Sequence, residues 1–299
     1  VSPSPWAFEF HPFSWVVVLG TAVAYWRAVR REGLGATRRQ VVAFATGLLA
    51  ALVALTWPLA DLARGSLTAL VCQRLLLLLA VPGLLMVGLP EALAVRVTRP
   101  RVLDALVRWC SRPPVAVLLV TVCAVATLTT GAVDAAARDP LLRAAFDAVL
   151  LGAGSVLWLP VIRGFPGTHR PSALGRAGYL IVQSIVPSFL AIVWIFARHP
   201  LYPAFAHSAT IGGVSATLDQ QLAGFVAKFA TIAILWVVAF VGLTRAHALG
   251  AAGDEADPLR WADVERQFER ADRAQRRRSA WLPGARPNAT DVASPAEDD

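Results

Sequence analysis

Long apolar runs, each closed off by arginine, glycine or proline, set the pattern of this chain. Seven can be drawn, with limits near 11–27, 41–59, 67–89, 113–131, 145–162, 177–197 and 221–244. A helix needs about 20 apolar residues, rising about 1.5 Å each, to cross the hydrocarbon core of a bilayer. The pattern therefore predicts an all-α integral membrane bundle of seven transmembrane helices. Glu9 and His11 interrupt the start of the first run. No basic stretch with a cleavage site precedes it, so no removable signal peptide is expected. Pro82-Gly83 should bend the third helix and Pro187 the sixth, because proline removes a backbone hydrogen bond. Ser184 and Ser188 stand where they could satisfy carbonyls that Pro187 frees.

Composition changes this picture little: the 299 residues are 56% hydrophobic with a mean hydropathy of +0.56. Charge adds more. A net charge of +8 in a soluble protein would raise nucleic acid as a partner. Here the arginines fall between apolar runs, so membrane lipid is the expected contact and nucleic acid is not. Counting loops alternately, 22 arginines lie on one side, in 27–39, 96–112, 163–176 and the tail from Arg245. The other side has four: Arg64, Arg138, Arg143 and Arg198. Lys and Arg are retained in the cytoplasm, so the expected topology has the N-terminus outside and the C-terminus cytoplasmic. The three cysteines, Cys72, Cys110 and Cys123, lie in or beside apolar segments and give no disulfide framework.

Three regions are expected: a transmembrane domain over 1–245, a cytoplasmic amphipathic helical segment over 246–281, and a disordered tail over 282–299. In the second, Trp261, Val264 and Phe268 share one helical face. Glu269–Arg273 and Asp272–Arg276 are i,i+4 pairs of favourable polarity. Such a helix suits anionic lipid or the base of the bundle. The tail is rich in Pro, Ala and Asp.

Phosphate-binding loops, nucleophile elbows and paired metal motifs are absent from the sequence. Of five histidines, His11, His199 and His207 fall on the outer side of the expected topology. Imidazole suits copper and zinc, so they are the candidate metal ligands, although nothing in their spacing demands a metal. The intramembrane charges are more informative, since a charge placed in a span is costly without a partner. Arg74 stands seven residues into the third span, about 10 Å deep at helical rise. Lys228 lies similarly far into the seventh, below Asp219, Gln220 and Gln221. If the two cations share a cavity they repel, and each needs an acid, carbonyls or water, or Lys228 must lose its proton. Asp219, Glu9 and Asp147 are the outer-side acids. The candidate site is a polar chamber of Arg74, Gln73, Asp219, Gln220 and Lys228. The alternative is that Arg74 only ties helices together.

Four stretches resemble the polytopic cytochrome c oxidase assembly factors of the CtaG type. They are FATGLLAALVALTWPLADLARGSLTALVCQRLLLLLAVPGLLMVGLP across the second and third spans, HPLYPAF after the sixth, LDQQLAGFVAKFA opening the seventh, and the lead-in WAFEFHPFSW. The pairing of LYP with DQQLAG is the most specific of these. The likeness covers most of 6–244 but not the tail. It implies a non-enzymatic aid to maturing haem-copper oxidases, with copper delivery or retention at the outer face. The family's third span usually carries two histidines one turn apart, a spacing that lets both grip one metal. The matching positions here are Leu70 and Arg74, with Gln73 in place of the family's glutamine, and Lys228 stands where an aromatic is usual. Arginine does not coordinate a metal while protonated.

The expected function is thus an assembly or accessory factor for a haem-copper respiratory oxidase in a bacterial plasma membrane, in copper delivery or as a scaffold. Oxidase subunits and lipid are the expected partners. No cofactor is required, and copper is left open. The alternative is a small transporter or ligand-binding protein built on the Arg74/Lys228 chamber. An enzyme ranks below both.

Overall fold

The computed structural model describes residues 12–31, 33, 35–162, 165, 167–168, 171–206, 213–256 and 269. Among them the regular structure is all helical: α1 (Pro12–Arg31), α2 (Arg38–Leu55), α3 (Leu59–Leu62), α4 (Leu67–Leu75), a π-helical turn (Leu76–Ala80), α5 (Val81–Gly88), α6 (Glu91–Val97), α7 (Arg101–Cys110), α8 (Pro113–Thr127), α9 (Thr130–Arg138), α10 (Pro140–Trp158), α11 (Ala173–Phe196), α12 (Pro203–Ala206) and α13 (Ala216–Ala256). The chain divides into two compact units after Arg245. Most of the expected amphipathic segment and all of the expected tail lie outside the described residues.

Among the described residues six stretches are long and apolar enough to cross a membrane, and a seventh crossing results if α7 and α8, bent by 92°, form one broken span. This is an all-α membrane bundle. The third span, Leu67–Gly88, is its axis: 61% of its apolar window is buried, against 35% or less in each of the other five. Leu67, Leu77, Leu79 and Val81 are each at most 2% exposed.

The physics of Pro82 accounts for how this span is built. Proline has no N–H for the carbonyl four residues back, and the helix widens into a π turn just before it, with Val81 N–H donating to the Leu76 carbonyl. The Leu79 carbonyl is satisfied from outside by Trp158 Nε1 at 2.8 Å. α10 can come this close only because residue 154 is glycine. A Cβ there would stand 2.2 Å from the Leu78 carbonyl oxygen and 2.6 Å from Pro82 Cγ. Gly88 plays the same part toward α2, where a Cβ would meet the Phe44 backbone nitrogen at 2.6 Å. Close backbone approach through small residues is how apolar helices gain packing where lipid offers no hydrophobic drive. In α11, Ser184 Oγ donates to the Ile181 carbonyl at 2.7 Å and Ser188 Oγ to the Ser184 carbonyl at 2.8 Å, around Pro187.

Polar caps set several boundaries. Thr37 and Gln40 form a reciprocal capping box on α2, and Asp139 accepts from Leu141 N at 2.8 Å to start α10. The run expected to cross at 113–131 is helical as α8 only to Thr127. Its 15 residues rise about 22 Å, short of the full core. Thr-Leu-Thr-Thr-Gly ends it, and α9 follows. Residues 96–112, expected as a charged loop, take in the end of α6 and the whole of α7. α7 is amphipathic: Asp104 pairs with Arg108 at 2.8 Å, while Val102, Leu106 and Trp109 are exposed. A helix of this composition, at nearly a right angle to the next, suits a membrane surface.

Candidate functional site

Arg74 sits on the central span and is only 6% exposed. Among the described residues no carboxylate lies within 4 Å of it. Its Nη1 donates to the Thr127 carbonyl at the end of α8, where the helix dipole is negative. Its Nε is buried without a hydrogen-bond partner. On one side of the guanidinium lies a narrow apolar void of about 60 Å³, with Leu78, Leu157, Gln183 and Thr231 in its wall. On the other lies a polar cavity of about 400 Å³.

The larger cavity is walled by the start of the third span, α9 and the first turns of α10. Its charged residues are Arg64, Arg74, Arg138, Arg143 and Asp147. Arg64 and Arg138 are exposed, Arg143 and Asp147 half-buried, and Arg74 buried, so the charge runs inward from a mouth to a floor. Arg143 is held like Arg74 by a backbone carbonyl, its Nη2 donating to the Ala60 oxygen at 2.9 Å. Arg64 stands 4.0 Å from Asp61. Among the described residues no ion pair within 4 Å joins Asp147 to Arg74 or Arg143. Carbonyl dipoles orient a guanidinium without cancelling its charge, so even with Asp61 beside Arg64 the four arginines and Asp147 leave the wall net positive.

The other residues expected in a chamber with Arg74 lie elsewhere. Asp219 accepts from Ser66 Oγ at 2.8 Å, Leu67 N at 2.7 Å and Thr68 N at 3.4 Å, and Thr68 Oγ donates to its carbonyl at 2.8 Å. A carboxylate from α13 thus caps α4, where unpaired N–H groups favour an anion. Gln220 Oε1 accepts from Leu201 N at 2.7 Å, and its Nε2 donates to the His199 carbonyl at 3.4 Å. Gln221 reaches the Ala197 carbonyl. These three side chains clasp the α11–α12 connection and the third span to α13. Tyr202, in the same connection, donates to the Leu128 carbonyl at 2.6 Å. Burial pushes its phenol up to about 12. The LYP and DQQLAG stretches are therefore two halves of one joint.

Gln73 is buried, with Nε2 donating to the Ala54 carbonyl at 2.9 Å and Oε1 unpartnered. Lys228 is half-buried on α13 and outside the cavity wall. Leu70 is buried and belongs to that wall. His199 is exposed in its loop, and His11 and His207 lie outside the described residues. Among the described residues no three His, Cys, Asp or Glu side chains gather as a metal ion would require. Of the cavity's charges the sequence singled out Arg74 and Asp147. Arg64, Arg138 and Arg143 drew attention only as arginines on the arginine-poor side, and that clustering was the available signal.

The model of the cytochrome c oxidase caa3 assembly factor family matches residues 22–247. No curated protein and no solved structure matches the chain. The matched region is most of the chain and takes in every described helix except part of α1 and the end of α13, so the chain belongs to the cytochrome c oxidase caa3 assembly factor family.

Proposed function

We propose that this member of the family acts as a non-enzymatic scaffold in assembling a haem-copper oxidase of a bacterial plasma membrane, without holding copper through its third span. One observation carries the reading. The two third-span positions where the family's histidines are expected hold Leu70, packed in the core, and Arg74, bound to a carbonyl and facing other arginines. A protonated guanidinium has no lone pair to give a metal, and the surrounding positive charge opposes a cation further. Oxidase subunits and lipid are the partners on this reading, and 22 arginines against four support an N-terminus outside and a C-terminus in the cytoplasm. That orientation needs an odd number of crossings, and so needs the α7–α8 pair to cross.

The test is a strain lacking the gene. Assembled oxidase should fall severalfold and stay low when copper is added to the medium, and the purified full chain should take up no Cu(I) in competition with a chelator. Full oxidase activity in the deletion strain overturns the assembly role. Rescue by added copper, or stoichiometric Cu(I) on the purified chain, overturns the scaffold in favour of delivery, with His11, His199 and His207 the next residues to vary.

A further inference from the structure

The arginine cavity is more than the scaffold reading requires. Four arginines lie on the arginine-poor side of this chain, and three of them, Arg64, Arg138 and Arg143, meet at one cavity. They come from the α3–α4 connection, the end of α9 and the start of α10, so the fold gathers them. The fourth, Arg198, is exposed outside the wall. Arg74 joins them from the central span with a buried Nε that no group satisfies. A buried donor without a partner destabilises the empty state and rewards an acceptor that fills it. Two of the four guanidiniums are held by carbonyls, which aim them and leave their charge uncancelled.

We propose that this cavity is a binding site for a phosphate-class oxyanion. About 400 Å³ lies within the range of small-ligand sites. Guanidinium forks match the spread oxygens of a phosphate and hold them with paired, charge-assisted bonds. The surplus of positive wall charge suits a group carrying one to two negative charges. Arg64 and Arg138 at the mouth draw the anion in, Arg143 meets it midway, and Arg74 closes on it at the floor. Asp147 faces the same space and disfavours ligands without a compensating donor. The phosphate can come from a free anion or from the headgroup of an anionic phospholipid, since the cavity begins at the N-terminal end of the third span. The site stands whether or not the chain serves an oxidase.

The experiment uses the full chain in neutral detergent, titrated with inorganic phosphate and separately with dihexanoyl-phosphatidylglycerol, with dihexanoyl-phosphatidylcholine as the uncharged comparison. Saturable binding of at least one anionic probe is expected. Arg74→Gln and Arg143→Gln should each weaken it tenfold or more, Arg138→Gln two- to fivefold, and Arg198→Gln less than twofold. Binding of inorganic phosphate identifies a free anion as sufficient. Binding of the phosphatidylglycerol alone assigns the site to a headgroup. Arg138 is exposed, so its variant keeps the site testable if Arg74→Gln fails to fold. The proposal is overturned if neither anionic probe saturates, if phosphatidylcholine binds equally well, or if folded Arg143→Gln and Arg138→Gln bind like the parent.

Discussion

Two groups of polar side chains begin at the same end of the third span, and they are built in opposite ways. The clasp around Asp219 and Gln220 is satisfied: one carboxylate accepts three bonds, one amide is used at both ends, and both residues are at most 6% exposed. The group around Arg74 is not. Two of its four arginines rest on carbonyls, its aspartate lies within 4 Å of none of them, a buried Nε is idle, and open volume lies between them. Buried polar groups that are fully paired rigidify a fold, whereas partly paired ones cost free energy until something else completes them. The clasp holds the bundle, and the cavity waits for a ligand.

Removing the clasp carboxylate should have the largest effect. Asp219→Ala leaves Ser66 Oγ and Leu67 N without their acceptor and uncaps the central span. Bonds to a charged acceptor contribute about 1.5–3 kcal/mol each, and their losses overlap, so about 3 kcal/mol is expected. The thermal midpoint of the detergent-solubilised protein should fall by several degrees, and Asp219→Asn should fall less. An unchanged midpoint would mean that the clasp is ornamental and that the contrast with the cavity is false.

Gln220→Ala should come next, at about 1–2 kcal/mol, because it gives up one good neutral bond to Leu201 N and one long one to the His199 carbonyl. The loss should be local. Hydrogen exchange should quicken at Leu201 and its neighbours and leave α4 as protected as in the parent. Faster exchange across α4 would show that clasp and cavity are a single cooperative structure.

How far these groups could be read in advance depends on the distance over which they are assembled. The bundle was legible because apolar runs of bilayer length are a local signal, and Pro82 announced an irregular third span. The 113–131 run reads as one crossing, but its helix stops at Thr127, so a seventh crossing here rests on α7 and α8 as one broken span. α7 was hidden behind its arginines, although Val102, Leu106 and Trp109 were spaced for one helical face. Arg74 was visible as a charge in an apolar run. Its companions were not, because Arg64, Arg138 and Arg143 are ordinary loop and helix-end arginines until the fold sets the end of α9 and the start of α10 around one cavity with α4. The expected link to Lys228 came from equal depth along two helices, and depth says nothing about which face a residue occupies.

The smallest expected change in stability belongs to Arg74→Met, and it separates the two groups most sharply. Truncating one half of a buried ion pair costs several kcal/mol because the other charge is stranded. Arg74 has no carboxylate bonded to it, so its removal strands the Thr127 carbonyl, at a helix end beside a cavity, and leaves Asp147 with Arg143 as its neighbouring positive charge. Methionine keeps the length of the side chain and ends the burial of an uncompensated charge, and such replacements are often neutral or stabilising. The stability of Arg74→Met should therefore lie within about 1 kcal/mol of the parent's, on either side, with its thermal midpoint nearly unmoved, while its anion binding is lost. A fall as large as that of Asp219→Ala would make Arg74 a tie between the third span and α8, a second clasp in place of a site.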